Sequence, residues 1–183
     1  MRLCVECGEV LQTEGWTCGG CGHAPEFRDG IPCFAPHLMD NETAFDVNSF
    51  DGLAEREEQS FWYKPRNRLI SWAFRRYFPE ARNFLELGCG TGIVLKQLAE
   101  DNPDLDISGG DIYIEGLPFA RERLAGRGEV MQLDGLNMPF DEQFDVVGAF
   151  DIVEHIENDM AALKELRRAI KPGGFHPPFD GGG

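Results

Sequence analysis

Two sets of residues in this chain have the types and spacing to do chemistry. The first is Glu86-Leu87-Gly88-Cys89-Gly90-Thr91-Gly92. An apolar run, Phe84 to Leu87, leads into it and an amphipathic run, Ile93 to Glu100, leads out, so the pattern predicts strand, glycine turn and helix. Glycine allows positive φ and close approach to a ligand. A helix start offers N–H groups to an anionic group such as a carboxylate. The second set is Cys4, Cys7, Cys18 and Cys21, in two C-x-x-C-Gly knuckles. Two such pairs suit one tetrahedral metal ion, and a pair of redox dithiols is the alternative.

Spacing narrows the ligand of the glycine turn. A dinucleotide fingerprint wants G-x-G-x-x-G, and here Ile93 fills the position of its third glycine. A phosphate loop needs Lys followed by Ser or Thr after its last glycine, and that pair is missing. What remains is E-x-G-x-G-x-G after a strand. With the segments downstream, it resembles the class I S-adenosylmethionine (SAM)-dependent methyltransferases, of the type 11 and 12 domain kind, from about Asn83 to Gly174. The resemblance implies an α/β, Rossmann-like, doubly wound parallel sheet that binds SAM. It places Glu86, Gly88, Cys89, Gly90 and Gly92 at the cofactor.

The elements around these residues are read in the same way. Leu105 to Gly110 is a second strand ending at Asp111, about 20 residues past the glycine turn. An acid there is placed to accept from both ribose hydroxyls, and a helix N-cap is the alternative. By the resemblance, Ile112 packs on the adenine. Tyr113 to Ala125 is a helix with Leu117, Ala120 and Leu124 inward, and Val130 to Leu133 a third strand. Asp134 and Gly135 follow, and the resemblance sets them at the adenine amino group, with a plain turn acid as the alternative. Phe144 to Phe150 is a fourth strand, with Phe150 at the cofactor by resemblance. His155 follows it and is the weak candidate for a catalytic base, since imidazole titrates near neutral pH. A capping or packing histidine is the commoner role. Met160, Leu163, Leu166 and Ile170 mark a last helix. The family topology gives a strand order of 3-2-1-4.

Three regions organise the chain: a zinc ribbon over 1–34, a linker and helical cap over 35–80, and the SAM-binding domain over 81–183. In the cap, Leu69, Ile70, Ala73, Phe74 and Tyr77 fall at helical spacing. Residues 64–82 carry six cations against one acid, net +5. By the resemblance, Phe61, Trp62, Tyr63 and Arg66 line the pocket, whereas core packing and a solvated face are the plain alternatives. Cys33 reads as a small buried apolar residue.

Composition bounds the partners. The net charge of the 183 residues is −15, and residues 1–34 alone are net −3, which argues against bulk nucleic-acid binding. No apolar run has the length of a membrane span, and no signal-peptide core opens the chain, so a cytoplasmic protein is expected. Lys171-Pro172-Gly173-Gly174 resembles the family turn before a fifth strand, yet Pro177-Pro178 cannot sit in a central ladder. The chain therefore reads as truncated after its fourth strand and following helix, with that strand an open edge liable to self-association. Much of the family's acceptor pocket lies in the missing half. The expected function is SAM-dependent methyl transfer to a small molecule. The rivals are an RNA methyltransferase guided by the ribbon and a non-catalytic SAM-binding remnant.

Overall fold

The computed structural model describes residues 1–12, 15–39 and 50–173. The expected ends at 174–183 and most of the 35–51 linker lie outside those residues. The elements run β1 (Glu26–Arg28), β2 (Ile31–Cys33), α1 (Phe50–Gln59), α2 (Tyr63–Tyr77), β3 (Asn83–Leu87), α3 (Ile93–Asp101), β4 (Asp106–Asp111), α4 (Leu117–Leu124), β5 (Gly128–Gln132), β6 (Val146–Ala149) and α5 (Asp159–Ala169).

Six strands form one sheet in the order β1-β2-β5-β4-β3-β6. The part β5-β4-β3-β6 is parallel and has the expected 3-2-1-4 order. The strand at its centre alternates. Phe84 faces a core shared with Phe74, Leu95, Leu98, Leu117 and Leu124, while Leu85 and Leu87 face a second core with Met131, Leu133, Phe140 and Leu166. A period of two then sends Glu86 to the side of Phe84, under α2 and α3.

Sequence reading did not foresee the pairing of the N-terminal segment with this sheet. Asp29 and Gly30 both have left-handed φ, 50° and 77°, and close β1 onto β2 as a two-residue hairpin. Asp-Gly is the usual signal for such a turn. Strand β2 then pairs in parallel with β5, Cys33 opposite Gln132. Ile31 enters the first core and Phe34 the second, where Trp16 packs edge-on to Phe34 with centroids 4.6 Å apart. Cys33 is buried, as expected.

Two helical faces differ from the periodic reading. In α2 the buried residues are Asn67, Ser71 and Phe74, whereas Leu69 and Tyr77 are exposed. The polar pair is tolerated inside because Ser71 Oγ donates to Asp101 at 2.5 Å and Asn67 Nδ2 donates to the carbonyl of Ile93. In α5 the inward face is Ala162, Leu166 and Ala169, and Met160 and Leu163 point outward, 60% and 43% exposed. Small alanines there let the helix lie close to the sheet.

Asp145 closes the base of the sheet. It accepts from the backbone N–H groups of Arg82 and Asn83, at 2.7 and 3.0 Å, and pairs with Lys171 at 2.8 Å. Burial alone would raise its pKa, but Lys171 and the two N–H groups outweigh it and hold the carboxyl at about 2. A depressed carboxylate contributes stability above its unfolded pKa near 3.9, and that contribution is lost as pH falls through the folded value. Asp145→Asn should therefore lower Tm at pH 7. The difference from wild type should shrink between about pH 4 and pH 2 in thermal melts.

Candidate functional site

The candidate site lies at the carboxyl edge of the four parallel strands, where ligands bind in open α/β sheets. The turn after β3 is held from beneath by β4. The carbonyl of Gly110 accepts from both Gly88 N, at 2.7 Å, and Cys89 N, at 3.1 Å. Gly90 N donates to Asp111 Oδ2 at 2.7 Å, and Gly92 N to the carbonyl of Cys89 at 2.8 Å. These four amides are thus used within the turn. Its contribution to a ligand is shape and room.

Glycine is required here for two separate reasons. Gly88, Gly90 and Gly92 all have positive φ, at 76°, 51° and 76°. A Cβ at Gly88 would stand 2.6 Å from Ile152, and one at Gly92 2.7 Å from Ala120. At Gly90 a Cβ would meet nothing within 4 Å, so this residue faces open space. The Cys89 side chain turns the other way, into the first core, where burial raises its thiol pKa well above the usual range.

Glu86 is the unusual group. Its side chain is buried, and Oε2 has no hydrogen-bond partner. Burial drives its pKa well above the carboxylate range. The Arg66 guanidinium opposes that rise, while Asp111 and Glu57 add to it. Arg66 comes from α2, donates to Asp151 Oδ2 at 2.5 Å and to Asn67 Oδ1 at 3.2 Å, and spans the mouth between α2 and the segment after β6. Asp151 holds its end of that bridge with a left-handed φ of 56°. Phe61 and Trp62, expected beside Arg66, stand out in solvent instead, 86% and 65% exposed.

The other expected residues fall around the same edge. Asp111 accepts from Gly90 and Tyr113 through different oxygens, and burial raises its pKa against those N–H groups. Each carboxylate oxygen keeps lone-pair capacity for a hydroxyl donor. Ile112 is half-buried, and its carbonyl accepts from Gln132 Nε2 at 3.3 Å. Asp134 Oδ1 accepts from Leu136 N at 2.8 Å, so the acid also shapes its own turn. Gly135 lies against Leu87 and Ile156. Phe150 packs back on the first core. His155 is exposed in the short turn Val153–His155, and among the described residues no side chain bonds to its ring.

One cluster had no sequence signal. Glu57 of α1, Thr91 of the glycine turn and Arg123 of α4 meet in a buried knot. Arg123 Nη1 donates to Glu57 Oε2 at 2.7 Å and to the Thr91 hydroxyl oxygen and carbonyl at 2.6 and 3.0 Å. The Thr91 hydroxyl donates to Glu57, and Arg123 Nη2 donates to the carbonyl of Ala54. The knot fastens the cap helix to the turn.

The four N-terminal cysteines converge as their spacing implied. Their sulfurs lie within 4.8 Å of one another, with Cys4–Cys21 and Cys7–Cys18 at 3.6 Å. Four thiolates about 2.3 Å from one tetrahedral ion stand about 3.8 Å apart, so these four sulfurs could hold one such ion. Backbone N–H groups of Cys21 and Gly20 bring the Cys18 thiol down to about 7. Cys7, despite the N–H of Glu9, is pushed up to about 12 by the neighbouring sulfurs of Cys21, Cys18 and Cys4.

The methyltransferase domain family matches residues 85–176, half of the chain. The protein belongs to the class I SAM-dependent methyltransferases. A ubiquinone biosynthesis O-methyltransferase of Thiobacillus denitrificans is 26% identical over 75% of this chain and 62% of its own length. A ubiquinone/menaquinone biosynthesis C-methyltransferase of Desulfotalea psychrophila is 32% identical over 52% of this chain and 40% of its own. Among solved structures, the SAM-bound amino pentose methyltransferase CalS10 of Micromonospora echinaspora superposes with a TM-score of 0.57. It is 25% identical, over 73% of this chain and 56% of that one. The chain thus spans about half the length of these relatives. No described helix is long and apolar enough to cross a membrane.

The buried pair in the knot is 8% and 7% exposed at its side chains. Removing one partner of such a pair leaves the other charge unpaired, at about 3–5 kcal/mol. Arg123→Met should cost that much in urea denaturation, and adding Glu57→Gln should recover part of it. A midpoint unchanged from wild type would show that the knot is not holding the cap.

Proposed function

We propose that this methyltransferase binds SAM at the glycine edge and transfers its methyl group to a small-molecule acceptor. The observation that carries the cofactor assignment is the unpaired Oε2 of buried Glu86, beside Arg66 and near a turn whose central glycine faces open space. A buried carboxylate oxygen without a donor is costly, and a ligand carrying an N–H group would satisfy it. SAM has such a group in its α-ammonium, next to a carboxylate for which Arg66 is the complementary cation. At the other end, Asp111 would accept from the ribose hydroxyls, with Ile112 against the adenine and Asp134 and Gly135 at its amino edge.

When bound, SAM supplies an activated methyl group on a sulfonium, so no protein nucleophile is needed. The chain's own work is positional. Glu86 and Arg66 fix the amino-acid end, Asp111 the ribose, and the knot keeps α1 over the turn. Such alignment can supply most of the acceleration. His155 is offered as a base only for acceptors that must lose a proton; its exposure leaves it reachable from solvent.

The small-molecule assignment rests on the relatives, which act in quinone biosynthesis and on an amino pentose. The charge of −15 points the same way, because a nucleic-acid acceptor would meet net repulsion. The cysteine cluster is read as a structural zinc site, since four thiolates leave no open position.

Two measurements test these readings. Zinc added to metal-free protein at pH 7 should release about three protons, because thiols must ionise to bind it. Calorimetry in buffers of different ionisation enthalpy reads that number, and a release near zero would remove the four cysteines as ligands. Glu86→Leu removes a buried, unpaired carboxyl. It should raise Tm of the ligand-free protein while weakening S-adenosylhomocysteine at least tenfold in calorimetry. Undiminished affinity in that variant would sink the cofactor assignment.

A further inference from the structure

Gln132 is fully buried, polar and the last residue of β5. Its side-chain amide reaches two other segments. Oε1 accepts from Ala35 N at 2.9 Å, and Nε2 donates to the carbonyl of Ala35 at 3.0 Å and to that of Ile112 at 3.3 Å. The main chain adds to this: Phe34 N donates to the carbonyl of Gln132, and Leu133 N to that of Asp111. One side chain therefore joins the end of the N-terminal module to the segment that follows the ribose acid.

The same module holds the far wall of the adenosine end. Leu3 N donates to the carbonyl of Pro139 at 2.9 Å, and Arg2 bridges to Phe140 in antiparallel fashion. Asn137 Nδ2 donates to the carbonyl of Val5 at 3.5 Å. The segment from Asp134 to Phe140 is thus tied to residues beside the first cysteine knuckle, whereas Ile112 is tied through Gln132 to Ala35, whose neighbour Phe34 packs on Trp16, two residues before Cys18. Cys4 sits between Leu3 and Val5, which make two of these contacts. An ion drawing the four sulfurs together fixes the backbone of all three residues.

We propose that Gln132 is a positioning residue, through which metal held by Cys4, Cys7, Cys18 and Cys21 tightens the adenosine end of the cofactor pocket. The inference rests on the SAM-binding reading above. A module that merely folded alongside would leave cofactor affinity indifferent to the metal. A module that braces both walls makes ordering in one place lower the ordering cost in the other.

The test uses the full chain loaded with zinc, and calorimetry with S-adenosylhomocysteine and with adenosine alone. Gln132→Met keeps the volume and removes all three side-chain bonds. It should weaken both ligands five- to tenfold and by the same factor, and raise hydrogen exchange at Tyr113. Leu105→Ala, which loosens the first core just before the amino end of β4, at the opposite end of the sheet from these walls, serves as a destabilised control and should leave adenosine affinity unchanged. Chelating the metal from wild type should reproduce the loss, and chelation of the Gln132→Met protein should add less than a further twofold. Equal adenosine affinity in wild type and Gln132→Met would overturn the proposal, as would equal loss in the Leu105→Ala control. Should the Gln132 variant fail to fold, the chelated wild type decides: unchanged affinity overturns the proposal. If zinc-loaded wild type binds neither ligand, the cofactor reading itself falls and this inference with it. A bound ligand whose affinity ignores both changes removes only the inference.

Discussion

One carbonyl, that of Gly110, sets the position of the whole site. It accepts from Gly88 and Cys89 together, and so pins the turn after β3 to the end of β4. The next residue, Asp111, takes the amide of Gly90 from the same side. Parallel pairing puts these ends level, Leu87 opposite Gly110, and adjacency of β3 and β4 makes the contact possible. A residue with a side chain at 88 would run into Ile152, and one at 92 into Ala120. The turn is thus closed on two sides and open on one, above Gly90. Everything assigned to the cofactor is arranged around that opening.

The backbone part of this was legible because it depends on local chemistry. The apolar runs at Phe84, Leu105, Val130 and Phe144 and the stripe of Leu117, Ala120 and Leu124 gave the strands and a helix at nearly their observed places. The cysteine pairs came together because a C-x-x-C spacing confines two sulfurs regardless of the rest of the fold. Gln132, Glu57 and Arg123 were not legible. Their partners lie 97, 34 and 32 residues away, and no periodic pattern marks a buried polar side chain that is satisfied by a group so distant in the chain. The Asp29-Gly30 hairpin was different: its signal was present, but the strands on either side are three residues long and carry no alternation to support it. Outward Leu69 and Tyr77 misled the reading of the buried face of α2 for the opposite reason, whereas the spacing of Met160, Leu163 and Leu166 did mark α5. Apolar residues on a surface are common, so spacing alone overstates a buried face.

Strand β2 also answers an edge problem. In a sheet ordered 3-2-1-4 the third strand would present unpaired backbone groups along its outer side. Here β2 and the Ala35 backbone pair with its last residue, and β1 follows as a short, exposed outer strand. The cysteine module is what anchors that cover. A segment so short buries little surface of its own, and an ion held by the four cysteines would supply folding energy it otherwise lacks. Its place at the β5 edge, rather than at the β6 edge, puts it on the side of Asp111 and Asp134 and across the sheet from β6.

Charge distribution inside the site follows from the same constraint. Glu86, Asp111 and Glu57 gather near the glycine turn, and the first two are raised above the carboxylate range by burial. Only Glu57 has a buried cation of its own, in Arg123. Asp111 relies on backbone N–H groups, and Glu86 has Arg66 nearby but one oxygen unpaired. The two carboxyls that lack a buried cation of their own, Glu86 and Asp111, cost stability in the free protein, and a donor to Glu86 Oε2 would relieve the first.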